Sequence, residues 1–178
     1  MRWHLHWEAD LVRADHDALG ALLVEVYPAH EATFRAQSFA YARPEGRIVG
    51  YDGERPVAHL GFLRRMLRSD AGALLVGDVG LVGVHPALRG TGLGKRLLLE
   101  TAAAFERLAL PFGFLTCRPA VVPFYASGGW QQITGQITRM LDEHGEHETY
   151  SGPALVLPVR AALAEWPRAT VIRDGLEV

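Results

Sequence analysis

The sequence predicts a single mixed α/β domain with a central, mainly antiparallel sheet flanked by helices, and three observations carry that expectation. Short apolar runs recur from residue 3 to residue 159, several with the period-two alternation of half-buried strands. Two of them meet at an Asp-Gly dipeptide, a tight hairpin signal because it tolerates positive φ. One long segment between strands repeats its apolar residues at three and four positions, the pattern of an amphipathic helix. A chain of 178 residues has the length of one domain and is expected to bury one core.

Taken in order, residues 3 to 8 alternate between Trp3, Leu5, Trp7 and His4, His6, Glu8, which predicts a strand. Residues 15 to 36 carry helical spacing through Leu19, Leu22, Leu23, Val26 and Tyr27, with a break at Pro28. Arg47 to Tyr51 and Pro56 to Leu67 read as strands joined at Asp52-Gly53, and a second turn at Asp70 to Gly72 leads into a strand over Leu74 to His85. The result is an antiparallel meander. After Pro86 and a run of glycines, Leu93, Leu97, Thr101, Ala104, Phe105 and Leu108 line one face of a helix. A short strand at 112 to 117, a brief helix around 120 to 127 and strands near 130 to 140 and 153 to 159 complete the expected set. The apolar segment from Ala154 to Val159 is also a candidate for pairing across a homodimer.

Composition narrows the function. With 49% hydrophobic and 21% charged residues the chain is too apolar to be disordered. The net charge is -2 and the basic residues are dispersed apart from Arg64, Arg65 and Arg68, which argues against nucleic acid as a partner. The longest uncharged stretch, Pro119 to Thr138, is broken by Pro123, Gly128 and Gly129, and Arg2, His4, His6 and Glu8 interrupt any leader-like run, so neither a membrane span nor a signal peptide is expected. The single cysteine, Cys117, offers no internal disulfide and no thiolate metal site, and a cytoplasmic location without a metal is expected. An acidic stretch, Asp142, Glu143, Glu146 and Glu148, reads as a solvated loop or as an attractor of cations.

The most informative segment is Val82-Gly83-Val84-His85-Pro86-Ala87-Leu88-Arg89-Gly90-Thr91-Gly92-Leu93-Gly94-Lys95. A strand that stops at Pro86 and restarts as a helix near Gly92 leaves backbone N–H groups unpaired, and glycines allow an anion to approach them closely. The helix dipole adds positive potential, with Arg89 and Lys95 supplying full charges. That chemistry suits a diphosphate.

Arg89, Gly92 and Gly94, preceded by Val82, Val84 and Pro86, resemble the coenzyme A loop of the GNAT superfamily of N-acetyltransferases, and Phe124-Tyr125 through Gly129-Trp130 resembles its second motif. The resemblance implies a sheet splayed between the strand at 74 to 85 and that at 112 to 117, with acetyl-coenzyme A entering the split. It implies that Arg89, Gly90, Thr91, Gly92, Leu93, Gly94 and Lys95 hold the diphosphate. The Val82 N–H would meet the thioester oxygen, Val84 would pair with the pantetheine arm, and Tyr125 would protonate the departing thiolate. Asp78, six residues before Val84, matches a strand carboxylate that serves some members as general base; a structural or substrate-binding carboxylate is the alternative. Where the superfamily often has Asn, this chain has Arg118. The implied mechanism is direct attack of an amine in a ternary complex, which leaves Cys117 as a bystander.

Two narrower resemblances address the acceptor. Trp3 to Glu8, Ile48 to Asp52, Ala58 to Arg65, Pro111 to Phe114 and Glu165 to Pro167 resemble the rhizobial nodulation N-acyltransferases, which place a fatty acyl chain on the free amine of a glucosamine oligosaccharide. The full Arg89 loop and the Phe124-Tyr125 motif depart from them and point to coenzyme A rather than an acyl carrier. Ala58-His59, Tyr125 through Trp130 and Leu155 to Pro158 are similar to aminoglycoside 2'-N-acetyltransferases, although Gly80 falls where those carry a strand carboxylate. Both imply a 2-amino sugar, and the first expectation is acetylation of an aminoglycoside antibiotic; the alternatives are long-chain acylation of a glucosamine oligosaccharide and a silent acetyl-coenzyme A sensor. His59, Glu146 and Glu148 are candidate sugar contacts, and Asp174, Glu177 and Val178 are candidates to fold over the site.

Overall fold

A computed structural model describes residues 1–142 and 144–178 and places ten strands in one sheet. Two compact units emerge, residues 1–63 with 79–101 and 178, and residues 64–78 with 102–177. Strands β3 (Arg55–Ser69) and β4 (Gly72–Val84) contribute to both.

In the first unit the alternating N-terminal segment forms β1 (Arg2–Trp7), antiparallel to β2 (Gly46–Asp52), which pairs in turn with β3. Gly53, at φ 59, makes the expected tight turn. Trp3 lies opposite Gly50, where an added Cβ would meet its ring at 2.8 Å, so the glycine creates the space that the indole fills. Helices α1 (Arg13–Val26) and α2 (Glu31–Ala36) bring Leu23 and Phe34 against Leu81 and Val178 in a buried cluster. The break between them falls at Pro28, whose missing N–H ends α1. Helix α3 (Leu93–Arg107) starts in this unit and buries Leu93, Leu97, Thr101, Ala104 and Phe105, the face expected from its spacing.

The second unit carries β5 (Phe112–Thr116), α4 (Val122–Ala126), β6 (Gln131–Ile133), β7 (Ile137–Leu141), β8 (His147–Tyr150), β9 (Ala154–Pro158) and β10 (Thr170–Ile172). Its strand order is β6-β9-β5-β4-β3-β10-β7-β8. Pairing is mainly antiparallel, with parallel contacts only between β4 and β5 and between β10 and β7 among the registers described. The β4–β5 ladder registers Val76 to Asp78 against Phe112 to Phe114, while β4 runs on to Val84, so the sheet is splayed where expected. Trp166 anchors the core: it stacks on Phe114 at 5.7 Å, meets Phe112 edge-on at 5.2 Å, and donates its indole N–H to Gln136 at 2.6 Å.

Strands β8 and β10 depart from the sequence reading. His147 to Thr149 are all exposed, so β8 has no apolar alternation to reveal it, and β10 is only three residues long. The expected place for pairing across a homodimer also needs correction. Strand β9 is bonded to β5 along one edge and, over Ala154 to Val156, to β6 on the other, which takes up most of the edge that pairing would need. Among the described residues no helix is long and apolar enough to cross a membrane and no cluster of side chains could hold a metal.

Candidate active site

The expected site residues divide between the two units. In the first, β4 ends at Val84 and a single 3-10 turn over Pro86–Leu88 leads through Arg89 to Thr91 into α3. Gly90 and Gly92 take φ values of 79 and 86, and nothing lies within 4 Å of a Cβ built on either. These are conformations an L side chain rarely adopts, on backbone that is open to solvent. Arg89, Thr91 and Lys95 are exposed beside them, and Thr91 steadies the turn by donating from Oγ1 to the Leu88 carbonyl at 2.7 Å. A positively charged, sterically open helix start of this kind is a geometry in which anions bind.

Just upstream, Leu81 stands at φ 52 inside β4, an unusual conformation for a branched side chain. Two side chains hold the peptide units around it. Tyr27 donates its hydroxyl to the Val82 carbonyl at 2.6 Å, and His59 Nδ1 lies 2.8 Å from the Leu81 carbonyl. A carbonyl can only accept, so Nδ1 carries the proton, and Nε2 accepts from Arg47 at 3.2 Å. Arg47 is itself fully buried; it binds Glu8 through Nε at 2.5 Å and Nη2 at 3.0 Å and donates to the Ser38 carbonyl at 2.7 Å. Arg43 reaches the same Glu8 at 2.9 Å. Burial, aided by the Arg47 charge, pushes the His59 pKa down to about 3, so the ring stays neutral.

His59 therefore does not fill the sugar-contact role expected from the sequence, because its ring has no exposed surface and both nitrogens are committed to the protein. Gly80 also finds its explanation in this unit. A Cβ there would come within 2.1 Å of the Val178 backbone oxygen, so position 80 has no room for a carboxylate side chain.

In the second unit Tyr125 sits on α4, 8% exposed, with its ring edge-on to Trp130 at 6.0 Å and to Phe124 at 5.0 Å. The Phe-Tyr motif thus fixes the phenol by aromatic packing on both sides. Asp78 has no exposed surface and lies between Arg65 Nε at 3.2 Å and Arg173 Nη1 at 3.7 Å. Burial drives its carboxyl pKa up, against the pull of Arg173 and Arg65. Arg173 also donates to Thr116 at 2.7 Å, meets Glu177 at 3.2 Å and covers the Phe114 ring at 5.6 Å, and Thr116 bonds Glu177. Arg65 donates to the Leu176 carbonyl at 2.7 Å, and Arg68 pairs with Asp174. Asp78, the expected general base, is thus enclosed between two guanidinium groups, with neither carboxylate oxygen in a hydrogen bond.

Burial and the nearby Glu177 raise the Cys117 pKa to about 11, which leaves an inert thiol. Glu146 and Glu148 are exposed, the latter on β8, and Glu143 lies outside the described residues. Sequence reasoning missed Glu8, Arg47, Arg65, Arg173 and Thr116. Arg65 carried the one available signal, a cation two residues before the buried Leu67 on the same strand, whereas the others are joined only by the fold.

The model of the family described as Nodulation protein A (NodA) matches residues 1–178. Nodulation protein A of Rhizobium tropici is 36% identical over 193 positions, covering 100% of this chain and 98% of its own. That of Bradyrhizobium sp. (strain NC92) is 34% identical over 207 positions, covering 100% and 92%. Among solved structures, the Escherichia coli GNAT family N-acetyltransferase YhbS, in complex with CoA, superposes with a TM-score of 0.64 at 16% identity over 99% of this chain and 96% of that one. Escherichia coli ElaA gives 0.61 at 20% identity over 88% and 98%. The chain belongs to the nodulation protein A family, N-acyltransferases built on the GNAT fold.

Proposed function

We propose that this protein transfers an acyl group from a coenzyme A thioester to the free amine of a glucosamine oligosaccharide, in one ternary complex. The observation that carries the donor is the open loop at the start of α3, where Gly90 and Gly92 hold positive φ with no neighbour over them and Arg89 and Lys95 stand exposed. Family membership over the whole chain supports the long-chain sugar acceptor over the aminoglycoside that the sequence first suggested.

The donor diphosphate rests on residues 89 to 95, with Val84 pairing to the pantetheine arm and the Val82 N–H directed at the thioester oxygen. The amine attacks the carbonyl carbon and a C–N bond forms; the oxyanion is met by the Val82 N–H, a contribution worth about 10²-fold or more in rate where it has been removed in other enzymes. The C–S bond then breaks, and the thiolate takes its proton from the Tyr125 hydroxyl. The proton lost by the amine passes to solvent, because Asp78 is enclosed between Arg65 and Arg173. Exposed Glu146 and Glu148 are the side chains retained as contacts for a cationic amino sugar.

A thiol-release assay tests the proposal, with acetyl- and long-chain acyl-coenzyme A against glucosamine oligosaccharides, aminoglycosides, polyamines and lysine peptides. Turnover on the glucosamine oligosaccharide is expected, with Tyr125→Phe lowering kcat about 10²-fold while donor affinity holds. Turnover confined to aminoglycosides would replace the acceptor assignment, and an unchanged rate in Tyr125→Phe would remove the phenol from the mechanism.

A further inference from the structure

The Leu81–Val82 peptide is one rigid plane. In a trans peptide the C=O and the N–H point in opposite directions, so fixing the carbonyl of residue 81 fixes the direction of the amide of residue 82. His59 does this from inside the protein: its protonated Nδ1 donates to the Leu81 oxygen at 2.8 Å. The ring cannot turn, because its Nε2 is held by Arg47 at 3.2 Å and Arg47 is fixed by Glu8 and the Ser38 carbonyl. Leu81 needs such a hold. At φ 52 it occupies the left-handed region, which is strained for a residue with a Cβ, and relaxation to ordinary strand geometry would turn the Val82 amide away.

We propose that His59, braced by Arg47 and Glu8, is a positioning residue for acyl transfer: it holds the Leu81 kink and so keeps the Val82 N–H aimed at the oxyanion. This inference rests on the proposed thioester chemistry for its catalytic consequence and on the fold alone for its conformational one. A hydrogen bond to a peptide carbonyl also polarises the same peptide's N–H, so the buried ring strengthens the donor that it aims. The neutral state imposed by burial keeps Nε2 an acceptor for Arg47 and so preserves the tautomer on which the arrangement depends.

The test uses the full chain with three changes: His59→Leu, which removes the donor; His59→Asn, whose amide nitrogen stands where Nδ1 stood; and His59→Leu with Leu81→Gly, where glycine holds positive φ without help. Labelled ligand-free protein is read by NMR for the HN–Hα coupling and nuclear Overhauser pattern of residue 81. Positive φ is expected in the wild type, lost in His59→Leu and regained in both other variants. Kinetics with acetyl-coenzyme A and a glucosamine tetramer should show kcat falling about 10²-fold in His59→Leu with the donor KM within about twofold. At least a tenfold recovery is expected in His59→Asn and in the double variant. A residue that merely filled space would lower thermal stability without this pattern of rescue. Positive φ persisting in His59→Leu, or kcat unchanged there, overturns the proposal. Wild-type protein that keeps the kink yet neither binds nor turns over acetyl- or long-chain acyl-coenzyme A overturns the functional reading and the catalytic role of His59 with it, which separates the two failures.

Discussion

An imidazole in an unfolded chain takes up a proton near pH 6.5, whereas His59 in the folded protein remains neutral down to about pH 3, chiefly through burial and secondarily through Arg47. Below pH 6.5 the unfolded state therefore binds a proton that the folded state refuses, and stability falls as pH drops from 6.5 towards 3. Glu8 acts in the same direction at lower pH. Burial opposes its ionisation, but hydrogen bonds from Arg47 and Arg43 outweigh that and lower its pKa below the usual 4.5. Its contribution is present above that value and is lost as pH falls through the folded one. Urea denaturation across a pH series should show His59 contributing a slope approaching 1.4 kcal/mol per pH unit, about one proton's worth, between pH 6 and 4.5. His59→Leu should flatten that interval, and an unaltered slope would mean the ring is protonated in the fold. At this scale the sequence showed that His59 lies on a strand but not what it does. Arg47 stands 12 residues before it and Glu8 a further 39 before Arg47, and no local pattern joins them.

At the scale of elements, the strand, loop and helix from Val82 to Lys95 were legible because every determinant is local. A proline ends the strand, glycines permit the turn and the apolar period restarts one position later. The Leu81 kink was not legible, since a leucine in an apolar run announces a regular strand and the side chains that hold it come from β3 and from Tyr27, just past the end of α1. The loop yields a direct test of the donor site. Gly92→Ala introduces no clash in the free protein, because nothing lies within 4 Å of the new carbon, yet it strains a residue at φ 86 and sets a methyl group where the diphosphate would approach. Calorimetry should find coenzyme A affinity reduced at least about tenfold, with a loss of folding stability of about 1–2 kcal/mol. Unchanged affinity would place the diphosphate elsewhere.

For the whole molecule, fold class and the order of most elements could be read from hydrophobic period and turn chemistry, and the departures lie in the pairing. The sequence carried no sign that β10 inserts between β3 and β7, because three residues in the order Thr-Val-Ile look like any short apolar tail. In the structure Val171 pairs with Ser69 on one side and Thr138 on the other, and it is fully buried. Removing residues 170–178 strips both neighbours of their ladder partners and leaves two unpaired edges. Such a variant should scatter light as oligomers on size-exclusion chromatography; a monomer with wild-type circular dichroism would show that β10 is dispensable.

The late arrival of β10 also has a meaning in time. Strands β3 and β7 leave the ribosome well before their shared partner, and at about 5–20 residues per second several seconds separate the first from the third. Through that interval a nascent chain presents sticky edges to its neighbours on the same messenger. Until Thr170 to Ile172 emerge, β3 and β7 lack the strand that pairs with both, so the sheet closes only at the end of synthesis.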